Sequence, residues 1–293
     1  MSRPKRPPTF FIAVFGLFAV VRGYNIALIV LVQYLTSIYI LAPEKPLLTV
    51  LLDPQLFALV MSTALTAAAG FIINNFYDDE KDRINRPQKY LLEHLLSLRT
   101  QGWLYVLLNV AALLVAAWVS GMAFLFFGFF ILSIWLYSSS LKQLFWISNA
   151  IAAALVVFPF FAVTLYFKNF QTLIFNHAFY LYLLILIRDI IKDLENYRGD
   201  WMSRYRTLPI VFGHRTTKYI LSGLIFLTYF PVYWLIHSGL GLMVYYYYWN
   251  LFFLMVLGAG LWWGSTQKAY LWLHNLLKAH ILLGVLGIYF MYK

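Results

Sequence analysis

A chain of 293 residues that is 62% hydrophobic and 11% charged is not a soluble globular domain, in which about a quarter of residues carry charge. With a mean hydropathy of +0.75 it reads as one polytopic membrane bundle, and the absence of cysteine excludes disulfides and thiolate metal centres. The net charge of +11 is read as basic loops that report topology and meet anionic membrane lipids, with no nucleic acid as partner.

Crossing a bilayer takes about 20 mainly apolar residues. Nine runs qualify, so the expected fold class is all-α, a polytopic membrane bundle of nine transmembrane helices. The first is Phe10–Leu41, preceded by the basic flank Arg3, Lys5 and Arg6. It is far longer than the apolar core of a signal peptide, about 7–15 residues, and no small-residue cleavage site follows. It is therefore expected to be a retained first helix, tilted or beginning in the interface. Arg22 and Asn25 sit inside it. Polar groups at membrane depth tend to face the bundle interior, although an arginine can also snorkel to the headgroups. An interior role is expected for both, for Asn25 in particular.

The second run, Leu56–Tyr77, passes into Asn74-Asn75-Phe76-Tyr77-Asp78-Asp79-Glu80-Lys81-Asp82, with four carboxylates in five residues. Runs three and four are Trp103–Ser120 and Met122–Ser138. The fourth leads into a connection whose sole charge is Lys142, with Tyr137 just before it and Asn149 after. Run five, Ile147–Phe167, contains Pro159, which implies a kink or local opening. Run six, His177–Ile191, enters a second charged stretch from Arg188 to Asp200. The segment from Arg204 through Pro209 to Gly213-His214-Arg215 reads as a basic loop returning into run seven, Tyr219–Ile236. Run eight, Met243–Trp263, begins near the aromatic run Tyr245–Trp249, which suits an interfacial belt. Run nine is Trp272–Tyr292. His177, His237, His274 and His280 share no ligand spacing and read as ordinary residues near helix ends. No phosphate-binding glycine loop, HExxH or GxSxG motif occurs, and no inverted repeat is evident.

Of the 11 acidic residues, five lie between Asp78 and Glu93 and four between Asp189 and Asp200. A charge run is ordinarily a solvated helix end. Here Asn74, Asp78 and Asp82 fall at i, i+4 and i+8, within about 80° of one helix face. Asp193, Asn196 and Asp200 fall at i, i+3 and i+7, again one face if the helix runs through. Basic residues gather after runs two, four, six and eight, which puts both clusters on the cytoplasmic side with the N-terminus. Oxygen donors at two helix ends suit a hard cation such as Mg²⁺, which binds carboxylates, water and substrate phosphates. A metal–diphosphate site is the expected function. The competing class is a divalent-cation transporter, which ordinarily places its carboxylates at membrane depth.

These residues resemble the two aspartate-rich motifs of the UbiA superfamily of intramembrane prenyltransferases. Asn74, Asp78 and Asp82 match N-x-x-x-D-x-x-x-D, with Arg83 and Asn85-Arg86-Pro87 also similar. The stretch from Lys192 through Asp193, Glu195, Asn196 and Gly199 to Asp200, then Thr207-Leu208-Pro209 and Gly213, is similar to the second. Asn196 departs from the family's usual aspartate and lowers the charge there. The pair Arg22/Asn25 and the pattern Tyr137…Lys142…Asn149 are similar too.

The resemblance implies one domain over residues 1–293 that transfers a polyprenyl group from its diphosphate to a lipophilic acceptor, with Mg²⁺ as cofactor. Asp78, Asp82, Asp193 and Asp200 would be catalytic. Asn74, Asp78 and Asp82 would hold one ion, and Asp193, Asp200 and Asn196 a second. Lys142, Arg83 and Arg198 would clamp the diphosphate, and Arg22, Asn25 and Tyr137 would place substrate. The acceptor implied is geranylgeranylglyceryl phosphate. An aromatic quinone precursor or a chlorophyll-type acceptor is the alternative, and a catalytically dead membrane partner a further one. The implied location is a prokaryotic plasma membrane.

Overall fold

The computed structural model describes residues 10–291 except Arg86, Trp146, Ser203 and Arg204. Of the expectations above, the flank with Arg3, Lys5 and Arg6, the motif residue Arg86, the loop residue Arg204 and the terminal Tyr292 lie outside the described residues. The described residues form α1 (Phe10–Val20), α2 (Gly23–Thr36), α3 (Leu47–Leu51), α4 (Pro54–Asn85), α5 (Pro87–Glu93), α6 (Leu98–Val119) and α7 (Gly121–Ser139). There follow α8 (Ile147–Phe167), α9 (Thr172–Glu195), α10 (Tyr197–Met202), α11 (Leu208–Ile236), α12 (Val244–Trp263) and α13 (Gln267–Gly287). Among the described residues nine helical segments are long and apolar enough to cross a membrane, and the fold is all-α.

The first expected span is corrected. Phe10–Leu41 is not one tilted helix: α1 ends at Val20, Arg22 takes a left-handed conformation (φ 52°, ψ 56°), and the crossing runs from Gly23 to Leu41. The seventh is corrected as well. The expected loop before Tyr219 is helical from Leu208, with a sharp bend at Gly213 (φ 79°, ψ 166°). The sixth is longer than expected at both ends, running from Thr172 to Glu195. α8 continues through Pro159.

Helix α4 has 32 residues, about 48 Å at 1.5 Å each, against a hydrocarbon core of about 30 Å. Its apolar part is long enough to cross that core, and its last turns, still helical, carry the first acidic cluster. Ser62, Thr63, Thr66, Ala67, Ala68 and Ala69 are buried along it, and the small side chains allow α6 and α7 to approach closely. On α6 the facing residues Ala112 and Ala116 are fully buried, while Leu107, Leu114 and Trp118 are exposed as a lipid-facing side. Helix α9 is the other centre of the bundle, packed on α8, α11 and α13.

Polar groups inside this bundle have no water to turn to and must find partners within the protein. Gln33 of α2 donates from Nε2 to Thr63 Oγ1 of α4 (3.0 Å) and to the Pro159 carbonyl of α8 (2.9 Å), tying three crossings together. Asp53, outside both acidic clusters, caps α4 by accepting from the backbone N–H of Gln55 and Leu56, and it accepts from the Tyr166 hydroxyl at 2.6 Å. The aromatic run at the start of α12 is divided. Tyr245, Tyr248 and Trp249 are exposed as a belt would be, whereas Tyr246 and Tyr247 point inward. Tyr246 contacts Tyr180 and His280 in a buried network with Asn250, so His280 is part of the core.

Candidate active site

The C-terminal ends of α4 and α9, the turn between α7 and α8, and the break between α1 and α2 meet at one end of the bundle. They enclose a cavity of about 170 Å³ lined by polar side chains. From α4 come Asn74, Asp78 and Asp82, the one-face set read from spacing. From α9 come Asp189, Lys192 and Asp193, with Asn196 at its end. Residues more than a hundred positions apart thus share one mouth. Arg22, Tyr137, Lys142, Ser148, Asn149, Tyr205 and Thr207 complete the polar lining.

Several of these side chains have identifiable support. The Arg22 Nη2 donates to Asn75 Oδ1 (3.2 Å), and its guanidinium lies 5.0 Å from the centroid of the Phe71 ring. It faces the interior rather than the headgroups. Asn75 in turn donates to the Val20 carbonyl (3.3 Å), holding the end of α1 against α4. Lys142 donates from Nζ to Asn74 Oδ1 at 2.7 Å and pairs with Asp78 Oδ2. Asn149 donates from Nδ2 to Asp193 Oδ2 at 2.9 Å. Tyr205 donates from Oη to Asp78 Oδ1 at 3.3 Å, so the chain after the second cluster reaches back to the first. Burial and the carboxylates of Asp78, Asp200 and Asp82 hold the Tyr205 phenol well above the ordinary tyrosine range, so it stays a donor.

Other charges of the two motifs point elsewhere. Asp79 pairs with His94 (3.0 Å), and Glu195 accepts from or pairs with His274 Nδ1 (3.0 Å), anchoring α9 to α13. His274 is therefore more than an ordinary helix-end residue. Four expected site residues do not line the cavity. Arg83 and Arg198 are exposed, Asn25 is half-buried one turn away, and Asp200 is fully buried in α10. The shared face expected for Asp193, Asn196 and Asp200 fails because α9 stops at Glu195, where Asn196 (φ −88°, ψ 7°) terminates it. Asp189, one turn before Asp193, takes the place on that face, and its i, i+4 spacing was a usable signal. Asn149 was visible only as part of a family pattern. Thr207 was visible only through the Thr207-Leu208-Pro209 part of the family pattern, and Tyr205 carried no sequence signal.

The electrostatics follow from the architecture. Four carboxylates, Asp78, Asp82, Asp189 and Asp193, face three cations, Arg22, Lys142 and Lys192, across the cavity. Among the described residues no three carboxylates or imidazoles converge on a single point. The donor set nonetheless fits Mg²⁺. All donors are oxygens, and this ion ordinarily takes one or two carboxylates and completes its shell with water and substrate phosphates.

The sequence matches the UbiA prenyltransferase family over residues 30–281. The chain belongs to that family and is a prenyltransferase, a multi-pass integral membrane protein. It is 34% identical over 206 residues to a digeranylgeranylglyceryl phosphate synthase of Thermococcus gammatolerans, covering 69% of this chain and 71% of the relative. Its fold is similar to a solved structure from work on digeranylgeranylglyceryl phosphate synthase in membranes, with a TM-score of 0.71, 18% identity and coverage of 94% of this chain and 96% of the other. A UbiA homolog from Archaeoglobus fulgidus bound to GPP and Mg²⁺ gives 0.68 at 15% identity, covering 94% and 99%.

Proposed function

We propose that this chain transfers a polyprenyl group from an allylic polyprenyl diphosphate to geranylgeranylglyceryl phosphate, forming an ether lipid and releasing pyrophosphate. One observation carries the reading: Asn74, Asp78 and Asp82 share a cavity with Asp189, Asp193 and Asn196, and three cations stand among them. Carboxylates alone would repel a diphosphate, and cations alone would need no carboxylates. A mixed site suits a metal–diphosphate pair. Asn74, Asp78 and Asp82 from α4 and Asp193 with Asn196 from α9 would hold Mg²⁺, which neutralises charge on a leaving diphosphate when bound. Asp189 joins the second set, while Asp200 supports the loop to Tyr205 from within the protein.

The bond that breaks joins the allylic C1 to the diphosphate oxygen, and pyrophosphate leaves with the electron pair. Lys142, Arg22 and Lys192 meet its developing charge with fixed cations in a site partly withdrawn from water. The acceptor hydroxyl forms the new C–O bond, and its proton passes to the pyrophosphate, the base the reaction itself creates. The isoprenoid tails lie among the apolar helices. The relative from Thermococcus gammatolerans supports this acceptor over an aromatic one. We place the chain in a prokaryotic plasma membrane with the cavity and N-terminus cytoplasmic, where phosphorylated substrates are found, and assign residues 1–293 to a single domain.

The test is to incubate the purified protein with Mg²⁺, labelled geranylgeranyl diphosphate and a set of lipid and aromatic acceptors, and to identify the product by mass. A digeranylgeranyl ether phosphate is expected, and both Asp78→Ala and Asp193→Ala should reduce its formation by more than about 100-fold while the proteins stay folded. A prenylated aromatic product would overturn the acceptor. Turnover that persists in both variants would overturn the site.

A further inference from the structure

We infer that Lys142 is an internal counter-cation that makes metal loading of Asn74 and Asp78 conditional on diphosphate. This rests on the metal–diphosphate reading above and goes beyond it, since that reading gives Lys142 only to the substrate. The starting observation is that Lys142 Nζ lies on the Asn74 and Asp78 side-chain oxygens, the atoms assigned to the ion. The pair is mostly buried, with side chains 15% and 12% exposed, so water and salt screen it weakly. Lys142 comes from the single turn Leu141–Gln143 between α7 and α8, and its side chain reaches Asn74 and Asp78 of α4.

A lysine ammonium is a compact charge with three donors on a flexible stem, so it can change partners without moving the backbone. A divalent ion and an ammonium cannot share the same two oxygens, because like charges a few ångströms apart in a partly dehydrated cavity repel strongly. A bare ion must therefore displace Lys142 from both oxygens and sit beside the displaced ammonium in the same cavity. A diphosphate changes the balance. Its oxygens accept the ammonium, and Asn74 and Asp78 pass to the metal. Metal and diphosphate then bind with positive coupling, and by linkage the coupling is the same in both directions. An idle site does not collect divalent ions, and the diphosphate enters together with its metal.

The experiment measures Mn²⁺ binding by electron paramagnetic resonance on the full-length protein in detergent. It is run at fixed free Mn²⁺ with and without inorganic pyrophosphate, for wild type, Lys142→Met and Lys192→Met. Lys192→Met removes a second lysine charge from the same cavity and controls for net charge. Lys142→Gln serves if the methionine variant does not fold. In the wild type pyrophosphate should tighten Mn²⁺ binding by about tenfold or more. In Lys142→Met, Mn²⁺ alone should bind tighter by a similar factor and most of the coupling should vanish, whereas in Lys192→Met, whose lysine meets the diphosphate but does not lie on the Asn74 and Asp78 oxygens, Mn²⁺ alone should bind nearly as in the wild type. Unchanged or weaker binding of Mn²⁺ alone in Lys142→Met, with the coupling intact, overturns the inference. Equal behaviour of the two lysine variants also overturns it, since charge rather than pairing would then be responsible. Binding that survives Asp78→Asn combined with Asp193→Asn would place the ion elsewhere and remove the metal–diphosphate reading along with the inference.

Discussion

Tyr205 lines the cavity, and the bond from its hydroxyl to Asp78 joins the chain that follows α10 to the end of α4. A hydrogen bond to a charged acceptor contributes about 1.5–3 kcal/mol, and a half-buried one belongs at the low end of that range. Tyr205→Phe should therefore slow turnover about tenfold, with 1.36 kcal/mol per decade, in a protein of unchanged fold. Burial disfavours the phenolate, and ionising it would also set it against Asp78, Asp200 and Asp82, so its pKa is raised and the donor persists as the solution becomes alkaline. The ratio of wild-type to Tyr205→Phe rates should accordingly stay flat from about pH 7 to 9.5, a range below even the unperturbed tyrosine value of about 10. A ratio that collapses toward one across that range would mean the bond is not made by a neutral phenol. At this scale spacing served well where a helix was unbroken. Asn74, Asp78 and Asp82 fall on one face because α4 continues through them. Asp200 was misplaced because its i+7 relation to Asp193 assumed a helix that Asn196 ends. Asparagine is a poor helix interior residue, since its side chain competes for backbone partners. The departure from the family's aspartate thus coincides with the stop in the helix.

Hydropathy located every crossing among the described residues, yet it could not see bends within apolar or mixed runs, because a backbone dihedral leaves no trace in side-chain polarity. The break at Arg22 and the bend at Gly213 were both missed for this reason, and both serve the cavity. The first turns Arg22 inward; the second lets the turn from Leu208 to Phe212 lean away from the axis of α11 and sets Thr207 at the cavity wall. Gly213 has φ 79° and ψ 166°, a region open essentially to glycine alone. Space is not the constraint, since nothing lies within 4 Å of where a Cβ would stand. Gly213→Ala should therefore cost about 1–3 kcal/mol by backbone strain alone. The expected result is a lower unfolding temperature in detergent and a loss of turnover as Thr207 shifts. An alanine variant as stable as the parent would show that the bend relaxes without penalty, and the bend would then not be what positions the loop.

The whole molecule is polarised in charge as well as in structure. Connections at the cavity end hold Arg83, Arg99, Lys142, Arg198, Arg206, Arg215 and Lys268, whereas those at the other end hold Lys45 and Lys168. Cytoplasmic loops collect lysine and arginine during insertion, and each such residue near an anionic leaflet gains about 1 kcal/mol. The cavity end should therefore face the cytoplasm, where a diphosphate substrate is made and where Arg22, at the start of the first crossing, also lies. A chain without cysteine allows a direct test, since one introduced thiol is the sole reactive site. Ser140, exposed at the cavity end, and Gln171, exposed before α9 at the other end, are suitable positions. In intact cells a membrane-impermeant maleimide should label Gln171→Cys directly and Ser140→Cys only after the membrane is opened. The reverse pattern would place the carboxylates outside, and the diphosphate would then have to cross the bilayer before it could react, which the charge distribution gives no means of doing.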